Sequence, residues 1–423
     1  MNRSQIDPLG IPAEEFTSDR RSDGRVTRNQ PTKVDRWLAD QLARHFNASR
    51  LRLSLWDEPE STATHGLPVT VRLGDRGALL QLVTNPAANF GDLYSSGRIT
   101  VHGDLRVVLD EANRNSNRHP QLSRVLARVR AKTPDLSDSR RNIHHHYDIG
   151  NEFYRLWLDR AALQYTCAYY ADKAMTLEQA QLAKMHHVCR KLRLEPGERV
   201  VEAGGGWGGF AIFMAKHYGV RVRSFNISRE QIAWSREWAK AENQDGLVEF
   251  VEDDYRNISG SYDVFVSIGM LEHVGVGNYR QLGNLIGRVL TPEGRGLVHS
   301  IGRDRPLPLN PWIERRIFPG AYPPTLREMM EIFEPNGLSV LDVENIRLHY
   351  ARTLEHWLER YEDNLETVHS MFDAPFVRAW RLYLAGSMMA FVHGSLQLFQ
   401  VLFSRSGSHT IPWTRDHLYP SGD

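Results

Sequence analysis

The chain has 423 residues, 41% hydrophobic and 24% charged, with a formal net charge of +1. Such a composition excludes a disordered or fibrous protein and leaves room for two or three domains with a substantial core. The near-neutral total hides an asymmetry: residues 1–141 hold 22 Lys+Arg against 17 Asp+Glu, and the remainder 30 against 34. A mildly basic front half suits an anionic surface such as phospholipid headgroups, while the acidic remainder argues against a nucleic-acid substrate face.

Cys167 and Cys189 have neither metal-ligand nor disulfide-framework spacing. The first residues carry no apolar signal-peptide core. A cytoplasmic protein with transient, peripheral membrane contact is expected. His144 and His145 read as a solvated run, and no metal site is expected.

In chain order, residues 1–32 are polar and rich in Pro and Gly, as in a flexible arm. Residues 34–46 have helical apolar spacing, 51–56 and 69–73 alternate like strands, and 78–83 extend that pattern. Residues 90–101 read as a short helix, a turn and a strand, so that 33–121 form a small mixed α+β domain suited to lipid or membrane contact. A basic, mostly helical connector occupies 122–143.

From residue 144 to 423 a second domain follows. An amphipathic helix over 177–194 is closed by Pro196-Gly197. Strands at 199–202, 221–225, 248–252, 263–268 and 296–300 alternate with helices at 210–215, 228–242 and 279–290. That alternation specifies a doubly wound, Rossmann-like α/β sheet. Residues 311–403 read as largely helical and aromatic-rich. Within them, residues 382–404 carry no charge, a length that could span a bilayer. However, His393, Gln397, Gln400 and Ser404 would line one face of a helix, so a buried amphipathic helix is expected.

The stretch on which this domain turns is Glu202-Ala-Gly204-Gly205-Gly206-Trp207-Gly208-Gly209. A strand ending in glycines that open a helix lets backbone N–H groups approach a nucleotide closely. The dinucleotide fingerprint is formally met, but that reading needs an acid ending the next strand, where Asn226 stands instead. Glu202 before the glycines and Asp253-Asp254 after the third strand fit S-adenosylmethionine better.

Five motifs stand in register with a known family: His146-Tyr-Asp-Ile-Gly-Asn151, Tyr165-Thr-Cys167-Ala-Tyr-Tyr170, Gly204 to Gly209, Ser267-Ile-Gly-Met-Leu-Glu272-His273-Val-Gly275, and His299-Ser-Ile-Gly302. The series resembles the cyclopropane-fatty-acid synthases and mycolic acid cyclopropane synthases, S-adenosylmethionine-dependent methyltransferases. The resemblance runs from about His144 to Phe403, with a fainter trace from Asn85 to Asp104. It implies that Tyr165 and Thr166 close over the cofactor, with Glu202, Gly204, Gly206 and Trp207 around its methionyl part. Asn226 and Gln231 would stand near the ribose, and Asp254, Tyr255 and Arg256 near the adenine. A bicarbonate ion would be held by Cys167, Glu272, His299, Ile301 and Tyr350, with Glu272 protonated or paired with His299.

The loop departs from the family's usual Asp-x-Gly-Cys-Gly at two places, Glu202 and Gly205. A longer acid arm and a looser loop of lower affinity are expected. The implied reaction methylates the cis double bond of an unsaturated phospholipid acyl chain and closes a cyclopropane through a carbocation. Water must be excluded from such a cation, and aromatic faces stabilise it; Tyr165, Tyr169, Tyr170, Trp207 and Tyr350 are the candidates. The alternative product is a methyl-branched or methylene chain from the same cation. The family also suggests a homodimer. A small-molecule or nucleic-acid methyltransferase would share the cofactor half, whereas a non-catalytic lipid-binding protein would not need the glycine loop.

Overall fold

The structure, a computed structural model, describes Leu9 and residues 30–46, 50–58, 69–116 and 149–419. Most of the expected arm, the connector at 122–143, and His144 and His145 lie outside the described residues. The chain divides into two units. One takes Met1–Arg128, Asn310–Pro319 and Tyr361–His393; the other takes Val129–Leu309, Gly320–Arg360 and Gly394–Asp423.

In the first unit, β1 (Leu51–Ser54), β2 (Val69–Leu73) and β3 (Ile99–His102) form a three-stranded sheet in that order. Leu73, Ala78, Leu79 and Ile99 lie at the centre of its core, none of them exposed. The expected helix over 34–46 is observed as Lys33–His45, closed at its start by a capping box between Thr32 and Asp35. Residues 78–83, expected to extend a strand, are instead part of the helix Arg76–Thr84. The deciding residue is Asp75, whose carboxylate accepts from Ala78 N at 2.9 Å and caps the first turn. This unit does not follow the linear division at 121. Arg316 Nε reaches Asp92 Oδ1 at 3.1 Å, Arg378 Nε donates to the Ser95 carbonyl at 2.7 Å, and His393 Nε2 meets Asp110 Oδ1 at 2.7 Å. The Trp312 ring fills the space above Gly91 so closely that a Cβ there would lie 2.3 Å from it.

The second unit is built on a seven-stranded sheet. Its strands are β4 (Arg199–Ala203), β5 (Arg221–Asn226), β6 (Val248–Glu252), β7 (Tyr262–Ile268), β8 (Leu290–Gly302), β9 (Leu338–Asn345) and β10 (Gln397–Arg405). The order is β6-β5-β4-β7-β8-β10-β9. Pairs among β4 to β8 are parallel, and β10 runs antiparallel to both neighbours. Helices Leu177–Leu192, Gly209–Tyr218 and Arg229–Ala241 contribute to one hydrophobic core, and Tyr279–Val289 and Leu326–Phe333 to a second. This is the doubly wound sheet that the strand–helix alternation implies. The strand order reverses at β4, which opens a crevice at its carboxyl end.

The expected helix over 382–404 does not exist as one element. The helix Ala374–Val392 stops before Gly394, which has φ +75°, and β10 follows. An interior strand is buried on both faces and reads as a continuous apolar run, which periodicity cannot separate from a buried helix. Residues 311–403 are largely helical as read, with β9 and most of β10 as the exceptions. Among the described residues, no helix is long and apolar enough to cross a membrane.

Candidate active site

The carboxyl ends of β4, β5, β7 and β8 present Glu202, Asn226, Glu272 and His299 in or just beyond the strands. The glycine turn is tied sideways to β5, because Gly204 N and Gly205 N both donate to the Phe225 carbonyl at 2.9 and 3.2 Å. Gly204, Gly206 and Gly208 have φ of +88°, +53° and +83°, a region that disfavours any side chain. Nothing lies within 4 Å of a Cβ built on Gly206, so the turn is open on that side. Asn226 Nδ2 donates to the Gly206 carbonyl at 3.0 Å and to Gln231 Oε1 at 2.8 Å. Gln231 Nε2 is buried without a partner. Beyond β6, Asp254 caps the turn Tyr255–Asn257, accepting from Arg256 N at 2.9 Å. The Arg256 guanidinium lies 5.2 Å from the Tyr255 ring centroid.

The two unusual loop positions explain each other. A Cβ on Gly205 would fall 1.9 Å from Ser224 Oγ and 2.9 Å from Glu202 Oε2. Ser224 Oγ itself donates to Glu202 Oε2 at 2.7 Å. The longer acid and the serine therefore fill the volume that a side chain at 205 would need. The loop is packed rather than loose, which corrects the expectation of slack. Burial raises the Glu202 carboxyl to about 7, against the Ser224 hydrogen bond and the Lys184 charge.

Beside this turn runs a strap, residues 159–167, of which the motif from Tyr165 onward marks only the end. Asp159 accepts from Ala162 N and Gln164 N, both at 2.7 Å, and Leu163 between them has φ +47°. Lys184, fully buried, donates to Gln164 Oε1 at 2.5 Å and to Thr166 Oγ1 at 3.1 Å. Gln181 Nε2 donates to the Thr166 carbonyl at 2.8 Å. Burial lowers the Lys184 ammonium to about 8, with Asp159, Cys167 and Glu202 opposing the shift. In the sequence Lys184 reads as one more polar residue of an amphipathic helix. Its pairing across 20 residues with Gln164 is invisible there.

Glu272 and His299 are 7% and 2% exposed. Glu272 Oε1 accepts from Ile301 N at 2.6 Å, while Oε2 is buried with no hydrogen-bond partner among the described residues. Burial raises this carboxyl to about 7. The expected Glu272–His299 pair is not formed. His299 Nδ1 instead lies 3.1 Å from Gln400 Nε2, and burial holds the imidazole neutral. The Cys167 thiol donates to the Ala168 carbonyl at 3.1 Å, and burial pushes its pKa up, so it is an inert polar wall rather than a thiolate. His273 is half-buried, and desolvation lowers its pKa to about 4, which holds it neutral.

An aromatic cluster adjoins the strap. Tyr165 lies 5.4 Å from Tyr154, 5.3 Å from Trp157 and 5.4 Å from Trp357. Trp207 is 5.0 Å from Tyr154, and Tyr350 is 5.9 Å from Trp357. Trp207 is oriented by Nε1–H donating to Asn151 Oδ1 at 2.7 Å. Of the five rings proposed to face a cation, Tyr165, Trp207 and Tyr350 belong to this cluster, together with Tyr154, Trp157 and Trp357. Tyr169 and Tyr170 do not. Tyr169 is sandwiched between His187 and His349 at 4.2 and 4.8 Å, and Tyr170 stacks on His356 at 5.7 Å. Aromatic rings gathered beside the strap suit a cationic ligand or intermediate, which ring faces stabilise.

Comparison with known proteins agrees with this geometry. The family model for mycolic acid cyclopropane synthetase matches residues 135–401. A probable fatty acid methyltransferase of Pseudomonas putida is 35% identical over 386 residues, covering 87% of this chain and 96% of that protein. The cyclopropane-fatty-acyl-phospholipid synthase of Escherichia coli K12 is 39% identical over 261 residues, covering 62% of this chain and 66% of that enzyme. The crystal structure of mycolic acid cyclopropane synthase CmaA1 complexed with SAH and CTAB superimposes with a TM-score of 0.60 at 28% identity. It covers 63% of this chain and 98% of that one. From strand order, glycine turn and these matches together, the chain belongs to the mycolic acid cyclopropane synthetase family of S-adenosylmethionine-dependent methyltransferases acting on fatty acyl chains.

Proposed function

We propose that this protein methylates the cis double bond of an unsaturated phospholipid acyl chain and closes the product to a cyclopropane. The observation that carries the reading is the carboxyl end of β7 and β8, where buried Glu272 has an Oε2 with no hydrogen-bond partner among the described residues and buried His299 is held neutral. In this reading these two polar groups handle the proton of a cation that the clustered rings shield from water.

S-adenosylmethionine supplies an electrophilic methyl group. In this reading Glu202, Gly204, Gly206 and Trp207 bind its methionyl part, Asn226 and Gln231 its ribose, and Asp254, Tyr255 and Arg256 its adenine, with Tyr165 and Thr166 closing over it. The buried, partnerless Gln231 Nε2 fits such a ligand. The acyl double bond attacks the methyl carbon; a C–C bond forms as the C–S bond breaks, and positive charge develops on the chain. Tyr165, Trp207 and Tyr350, with Trp157 and Trp357, face that charge. Ring closure then needs loss of a proton from the added methyl group.

A bicarbonate ion would supply the base, and the residues fit one. With its pKa raised to about 7, Glu272 keeps a proton over much of the neutral range and can donate rather than repel an anion. In this reading His299 and Tyr350 offer further donors, and Cys167 and Ile301 complete the set. A specific finding supports the second product class: the relative matched over 87% of this chain is named a probable fatty acid methyltransferase. The same cation, losing a chain proton or, after a 1,2-hydride shift, a proton of the added methyl group, gives a methyl-branched alkene or a methylene chain.

Incubation with methyl-labelled S-adenosylmethionine and unsaturated phospholipid vesicles, followed by mass spectrometry, tests the reading. The expected product gains one CH₂ and resists hydrogenation, and its formation falls in bicarbonate-depleted buffer. A product that hydrogenates indicates the methylene alternative, and no lipid labelling rejects both. As a second prediction, Lys184→Met leaves Gln164 and Thr166 without their buried donor. Its cofactor affinity, read by calorimetry, should fall by roughly 10-fold, about one hydrogen bond to a charged group; unchanged affinity would remove the strap from cofactor binding. Contact with a membrane surface, a peripheral cytoplasmic location and a homodimer remain part of this proposal, to be read by vesicle sedimentation and light scattering.

A further inference from the structure

His299 on β8 stands directly opposite Gln400 on β10, and Gln400 directly opposite Glu344 on β9. Opposed residues of antiparallel strands share a sheet face, so three side chains from distant parts of the chain form one row. Gln400 is fully buried, and its Nε2 lies 3.1 Å from His299 Nδ1. At the end of the row, Glu344 accepts from His187 Nε2 at 2.8 Å and from Lys191 Nζ at 2.6 Å.

A neutral imidazole carries one N–H and one lone pair, and the group facing one nitrogen decides the state of the other. An amide NH₂ facing Nδ1 makes that nitrogen the acceptor and leaves the proton on Nε2. His299 stays neutral because burial dominates, with Lys184 and Lys191 disfavouring the imidazolium and Glu344 favouring it. Nε2 has no partner among the described residues. We propose that Gln400 is a positioning residue that fixes His299 as the Nε2–H tautomer, so that a neutral donor rather than a base or a cation faces the reacting groups. This rests on His299 lining the active site as read above. A donor at that point holds an acceptor anion in place without withdrawing the proton-accepting capacity that the final deprotonation needs.

The tautomer is directly readable from two-bond ¹⁵N–¹H correlations of ¹⁵N-histidine-labelled full-length protein, with His299 assigned by its absence in His299→Phe. The parent is expected as Nε2–H. Gln400→Met, which keeps the shape and removes the amide, should show a mixed tautomer. Its kcat should fall by about 10- to 100-fold, the usual size when an orienting partner is lost, with KM for S-adenosylmethionine unchanged. An Nδ1–H tautomer in the parent overturns the proposal even if the variant fails to fold. So does a Gln400→Met protein with the parent tautomer and undiminished kcat. The reading of the site fails separately: undiminished lipid methylation by His299→Phe would remove His299 from the active site whatever its tautomer.

Discussion

Glu272→Gln is expected to lower turnover by about 100- to 1000-fold, the range for removal of a group that handles a proton in the transition state. Cofactor affinity should stay within twofold, because the Glu272 carboxylate is held by Ile301 N and makes no hydrogen bond to the glycine turn among the described residues. The amide oxygen of Gln can still accept from Ile301 N, so the loop geometry is preserved. Single-turnover kinetics with methyl-labelled cofactor and calorimetric titration separate the two effects. Parallel loss of both would make Glu272 a structural residue.

The same variant has an opposite effect on stability, with a defined pH dependence. Burial raises the Glu272 carboxyl from 4.5 to about 7. A raised carboxyl contributes stability that is intact below the unfolded value and is lost as pH rises through the folded value. The folded parent therefore loses up to about 3 kcal/mol between those two values from this group. Glu272→Gln should melt higher than the parent at about pH 8, and the difference should vanish toward the acid side. A pH-independent difference in melting temperature would show that the carboxyl is not desolvated as described.

Gly205→Cys, which gives the loop the side chain that the resemblance implies there, is expected to harm this protein. Its Cβ would lie 1.9 Å from Ser224 Oγ, and no rotation of the serine alone clears the 3.3 Å approach of Ser224 Cβ. Overpacking of a closed site costs about 1–3 kcal/mol, and the displaced loop should bind S-adenosylmethionine roughly tenfold more weakly, equivalent to about 1.4 kcal/mol. Adding Ser224→Gly should recover most of both losses, giving a double-mutant coupling of about 0.5–3 kcal/mol. Denaturant melts of the four proteins read it. A Gly205→Cys protein as stable as the parent would mean that Glu202, Ser224 and Gly205 are not one packed set.

Local chemistry carried much of this protein into view before any coordinates. The β-branched run of β4, the glycines after it and the helical spacing from Phe210 place the cofactor turn. Asn226, ending β5 where a dinucleotide site needs an acid, turns that site toward S-adenosylmethionine. These signals are legible because each depends on residues a few positions apart, where dihedral freedom, strand alternation and helical period act directly.

What the tertiary structure decided depends on distance along the chain. Gln400 meets His299 across 101 residues, and Ser224 meets Glu202 across 22. Residues 397–405 were legible as apolar but not as a strand, because burial on both faces of β10 erases the alternation that would identify it. The aromatic cluster drew Tyr154 and Trp357 from two helices and Trp157 from the turn after the first, and left Tyr169 and Tyr170 against histidines. Spacing along the chain determined the cofactor turn; strand register and burial, which join residues that spacing cannot relate, decided what holds Lys184, Glu272 and His299 in their charge states.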